Sequence, residues 1–108
     1  MAVPLILLFL AAVLEAGGDA VVRLGLHATS ALGKTTLFLL GALVLFAYGY
    51  TVNAPSWDFG RLLGVYVVFF FVVAQIISWL VFHQRPGSGV LIGGCFIIAG
   101  GIIISVKS

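Results

Sequence analysis

AAVLEAGGDAVVRLG (11–25) decides how the chain is read: it sets two acids and one arginine in an otherwise apolar run. Glu15 lies about a dozen residues from either end of that run, where lipid is least tolerant of a carboxylate. The rest of the sequence shows that the surroundings are indeed lipid. The 108 residues are 63% hydrophobic and only 7% charged, with a mean hydropathy of +1.32. Soluble domains carry about 25% charged residues, and a chain this short cannot hide so much apolar surface in one core. The formal charge of +2 comes from scattered bases and gives no footprint for nucleic acid. One cysteine, Cys95, permits no intrachain disulfide and fits no metal spacing, so it reads as a small buried hydrophobe. No metal and no cofactor is expected.

A helix needs about 20 apolar residues to cross the hydrocarbon layer. Four stretches qualify: about 3–26, 34–52, 61–83 and 89–106. The start, MAVPLILLFLAAVLEA, ends in small residues as a signal peptide does, but it lacks a basic leader and is read as the first span. The connections HATSALG, NAPSWDFG and QRPGSG are short, and Pro86, Gly87 and Gly89 break the chain before the last helix. The expected fold is an all-α membrane protein, a single four-helix transmembrane domain over 1–108 with both termini on one side. Arg23, Lys34 and Arg85 then lie on one side and Arg61 and Lys107 on the other. That near balance fits a single orientation fixed by other features, and equally fits insertion both ways as an antiparallel pair.

Four thin helices enclose little, which places any ligand cavity between subunits. Helix 4 carries Gly89 and Gly93 in G-x-x-x-G spacing, with Gly100 and Gly101 further along. Small residues let helices approach closely in lipid, so these four glycines are the expected dimer contact; packing on helix 3 is the alternative. In helix 1, Leu8, Ala11, Ala12, Glu15, Gly18, Asp19 and Val22 share one face. Small neighbours around two acids leave room for a guest or for another helix. Asp19 has a base four residues on, Arg23, in the favourable order for an ion pair. Glu15 has none on its own helix: Arg23 is roughly 12 Å away along the axis. Glu15 is therefore the leading functional residue, with Asp19 either paired or part of the site. His27 and His83 flank helix ends at headgroup level, and Trp79 suits an interfacial anchor.

At these residues the chain resembles the small multidrug resistance family of the drug/metabolite transporter superfamily. LAAVLEAGGDAVVRLG (10–25) looks like the family's glutamate, a glycine three residues later and a base near the helix end, which fall on Glu15, Gly18 and Arg23. ISWLVFHQR (77–85) is similar to the exit of the third helix, with Trp79. LIGGCFIIAGGIII (91–104) resembles the dimerising helix, with glycines seven apart at Gly93 and Gly100. There are departures. Drug exporters enter helix 3 on a P-x-G-x-A-Y-A-x-W segment; here WDFGRLLGVYVV (57–68) lacks that proline, and Tyr66 stands at the tryptophan position. Asp19 replaces a small or hydroxylated residue. GRLLGVYVV (60–68) looks closer to YnfA-like relatives than to a divergent EmrE-like member.

What the resemblance implies is a proton-coupled antiporter, an antiparallel homodimer that exports small cationic or hydrophobic-cation substrates across the bacterial inner membrane. Proton and cargo would take turns at Glu15. Tyr66 and Tyr48 are the expected aromatic wall for a cation, which ring faces attract; Gly18 and Asp19 complete the expected site. The implied partners are a second copy or a related paralogous chain, the bilayer, protons and a small cation. Two other readings stay open: a non-transport scaffold or accessory subunit docking through helix 4, and a carrier of a lipid-linked substrate. An enzyme is not expected, because no nucleophile–base set, metal spacing or phosphate loop is present.

Overall fold

Four apolar stretches become four helices in the computed structural model, which describes residues 2–107: α1 (Ala2–Leu26), α2 (Ala31–Val52), α3 (Phe59–Phe82) and α4 (Ser88–Lys107). Each is long and apolar enough to cross a bilayer, with span hydropathies from 1.7 for α2 to 2.5 for α3. The chain is an all-helical, four-span, multi-pass membrane protein. Helical spans suit the bacterial inner membrane, where every backbone group must be satisfied within the segment.

Local chemistry sets the helix ends. α2 begins three residues earlier than hydropathy alone suggests, because Ser30 caps it: its Oγ accepts from the Gly33 N–H at 2.9 Å, meeting one of the helix's orphan donors. The Lys34 ammonium donates to the Leu26 carbonyl at 2.9 Å, tying the start of α2 to the end of α1. α3 ends in a left-handed residue, His83 at φ 56°. The His83 N–H donates to the Trp79 carbonyl and the Gln84 N–H to the Ser78 carbonyl, both at 3.1 Å. This is an αL cap, with histidine where glycine is usual, and it brings Gln84 back beside Ser78.

α1 lies between α2 and α3, and α4 packs on α3. The result is a row of helices only 19 Å deep in its smallest dimension. Leu8, Ala11, Ala12 and Ala16 of α1 are buried with Leu62, Val65, Tyr66 and Val73 of α3 and Val52 of α2. The alanines keep α1 slim enough for its neighbours to come close, which is how helices gain contact in lipid. α1 and α2 close at Gly18 and Gly41. A Cβ on Gly18 would stand 2.7 Å from Leu45, and one on Gly41 2.6 Å from Val22.

Two expectations need correcting here. Gly101, expected with Gly89, Gly93 and Gly100 at a contact between chains, follows the alternative instead: it is buried against Val68 of α3. It joins Gly94, which meets Phe71, and Gly64 of α3, where a Cβ would lie 2.7 Å from Ile104. α4 thus carries two glycine faces, one turned to α3 and one open. Gly89, Gly93 and Gly100 belong to the open one, with nothing within 4 Å of an added Cβ. Cys95 is also exposed on the outside of α4 rather than buried; in lipid, an outward thiol loses nothing by facing acyl chains.

Candidate functional site

Glu15 sits at mid-helix, roughly 16 Å of helical rise from Leu26, and is half-buried. Small Ala11, Ala12 and Ala16 bring the α3 backbone near enough for Tyr66, only 4% exposed, to reach it. The Tyr66 hydroxyl donates to Glu15 Oε1 at 2.7 Å, a well-formed hydroxyl–oxygen hydrogen bond. Tyr48 of α2 closes the group from the other side, its ring centroid 5.7 Å from that of Tyr66 and tilted by 31°. Phe70, one turn along α3, continues the aromatic wall at 6.3 Å from Tyr66. Three helices therefore converge on one carboxylate. Among the described residues no ion pair within 4.0 Å forms anywhere, so neither Glu15 nor Asp19 has a base in contact. An acid held by the Tyr66 phenol, with Tyr48 beside it, presents a carboxyl group and ring faces together, a combination that attracts cations.

Of the expected site residues, the fold brings Glu15, Tyr66 and Tyr48 together. Gly18 does something else: it is buried against Leu45 and Val44 of α2, so the small face of helix 1 admits another helix at that point rather than a guest. Asp19 does not pair with Arg23. The Arg23 guanidinium lies over the Phe82 ring, 5.2 Å from its centroid, while Asp19 stays exposed on an open groove of about 220 Å³ between α1 and α3. Phe70, Ser78 and Gln84 line the same groove. Phe70 follows Tyr66 by one helical turn, the spacing that marks it as a neighbour on the same face. The place of Gln84 depends on the His83 turn, which no simple sequence pattern announces. Trp79 is 52% exposed, with the Arg85 guanidinium 5.6 Å from its ring centroid, as suits a residue at the membrane boundary.

Comparison with other proteins adds a family. The chain is 35% identical over 68 residues to a UPF0060 membrane protein of Herpetosiphon aurantiacus, a match covering 61% of this chain and 62% of that protein's length, just under two thirds. Over 98 residues it is 32% identical to the UPF0060 membrane protein of Clostridium beijerinckii and 35% identical to that of Clostridium perfringens, covering 88% of this chain and 85% of each relative. The chain belongs to the UPF0060 membrane protein family. UPF0060 is the YnfA family, related to small multidrug resistance proteins, so the YnfA-like side of the resemblance holds. UPF0060 relatives are named as membrane proteins, in keeping with the four spans. No family profile and no solved structure matches the chain.

Proposed function

We propose that this UPF0060 protein is a proton-coupled antiporter that exports small cations, with Glu15 as the shared site for proton and cargo. The single observation that carries the reading is the Glu15–Tyr66 hydrogen bond at 2.7 Å on an acid at mid-membrane depth with no base in contact. Carboxylates in such places are costly and mark ion or proton pathways. A permanent counter-ion would fix the charge; a phenol leaves it exchangeable. When a cation arrives, the acid gives up its proton to water and holds the cation by charge and by the Tyr48 and Tyr66 ring faces. When a proton returns, the cation leaves. If only occupied sites change the side they face, the inward proton gradient drives the cation out.

On this reading a second copy completes the cavity, since one chain is a thin row that leaves its acid only half-buried. The open glycines Gly89, Gly93 and Gly100, set among exposed Ile92, Phe96 and Ile103, offer the surface for an antiparallel homodimer. The test is reconstitution in liposomes, with candidate cations added and proton movement recorded for the natural protein and for Glu15→Gln. Cation-driven proton flux that vanishes in Glu15→Gln supports the proposal. Equal flux in both proteins would refute it.

A further inference from the structure

The groove beside Asp19 adjoins the Glu15 centre and shares Phe70 with it. Neither Glu15, Tyr48 nor Tyr66 lines it. It holds one acid and one base that the helix sets a single turn apart, roughly 6 Å along the axis. That is the spacing of an ion pair, yet the pair is not made: Arg23 rests on Phe82 instead. Both charges therefore remain available on one groove. Polar groups stand opposite them. Ser78 Oγ and Gln84 meet only at 3.4 Å, long for a bond involving a hydroxyl, so each is ready for a shorter partner. The volume of about 220 Å³ corresponds to roughly seven water molecules, which fits a small polar head. Arg23 is three residues from the end of α1, close enough to reach the headgroup layer.

Charge selects the ligand class. A ligand with two cationic ends would meet Arg23, and one with two anionic ends would meet Asp19. A ligand with one of each satisfies both. We propose that this groove binds a zwitterionic head, its ammonium on Asp19 and its oxyanion on the planar guanidinium fork of Arg23, which matches phosphate or carboxylate oxygens. Such a head exists both as a free solute and as the exposed end of a zwitterionic phospholipid. The site is independent of the antiport reading, because it does not use Glu15.

The experiment uses the full chain. In detergent, calorimetric titration compares phosphoethanolamine with ethanolamine and with methyl phosphate. In parallel, protein taken from mixed phosphatidylethanolamine and phosphatidylglycerol nanodiscs is weighed by native mass spectrometry for retained lipid. Phosphoethanolamine binding at least tenfold tighter than either half-ligand indicates a free solute head. Selective retention of phosphatidylethanolamine without binding of the free head indicates the lipid source. Asp19→Asn and Arg23→Gln each weaken the observed binding by about tenfold or more, the scale of a lost charged hydrogen bond. Arg23→Lys, which keeps the charge, retains part of it and controls for folding, and Glu15→Gln leaves it unchanged while stopping proton flux. The proposal is overturned if neither zwitterion is preferred, if the preference survives both charge-removing variants, or if Glu15→Gln abolishes it.

Discussion

Gly100 and Gly101 are neighbours in sequence and opposites in environment, which makes them a sharp test of the packing. A Cβ at Gly101 would collide with Val68, whereas at Gly100 it would meet nothing within 4 Å. Val68 is branched at Cβ and stiff at χ1, so it cannot swing aside cheaply. Overpacking of this kind costs about 1–3 kcal/mol. Gly100→Ala has no such penalty and gains the better helix propensity of alanine, at most about 1 kcal/mol. The two single-methyl changes should therefore differ by roughly 2 kcal/mol, about a thirtyfold difference in the folding equilibrium. The assay is unfolding in mixed micelles with rising dodecyl sulfate, followed by helical circular dichroism and by the fluorescence of Trp57 and Trp79, which sit near the two ends of α3. Gly101→Ala should unfold at distinctly lower denaturant and Gly100→Ala at the natural value or above. Equal destabilisation of both, or the reverse order, would mean that α4 does not dock on α3 through Gly101.

The larger substitution Gly100→Leu is expected to leave the monomer folded but to abolish chemical cross-linking between copies in the membrane, while Gly101→Leu disrupts the chain itself. Tyr66→Phe removes the donor to Glu15 and keeps the ring; losing a hydrogen bond to a charged group is worth about 1.5–3 kcal/mol, so cation-driven proton flux should fall by roughly ten- to a hundredfold, read in the same liposomes as Glu15→Gln. Ser30→Ala deletes the α2 cap and should lower stability by about 1 kcal/mol in the micelle assay, with transport unchanged.

Hydropathy made the four spans legible because bilayer thickness leaves little choice of helix length. Their ends were less so: α2 starts at Ala31, not near Lys34, since a serine hydroxyl rather than an apolar residue opens it. Glu15 stood out by its cost in lipid, while Tyr66 and Tyr48, more than thirty residues away in sequence, came from resemblance and from their rings. The glycines were the hardest to place. Lipid is as apolar as a helix interface, so no contrast between faces tells Gly100 from Gly101 or marks Cys95 as outward. Asp19 and Arg23 stayed open for a different reason. Their spacing satisfies the rule for an ion pair, but a phenylalanine on α3 competes for the guanidinium, and only tertiary structure brings Phe82 there.

The bond between Tyr66 and Glu15 joins positions 51 residues apart, and that gap has a meaning in time. A ribosome adding about 5–20 residues each second delivers the acid to the membrane roughly 3 to 10 s before it delivers the phenol. Through that interval the carboxyl group has only the α1–α2 hairpin and Tyr48 around it. The insertion machinery must therefore accept a span that is provisional, one whose most awkward side chain is matched only when a later segment arrives.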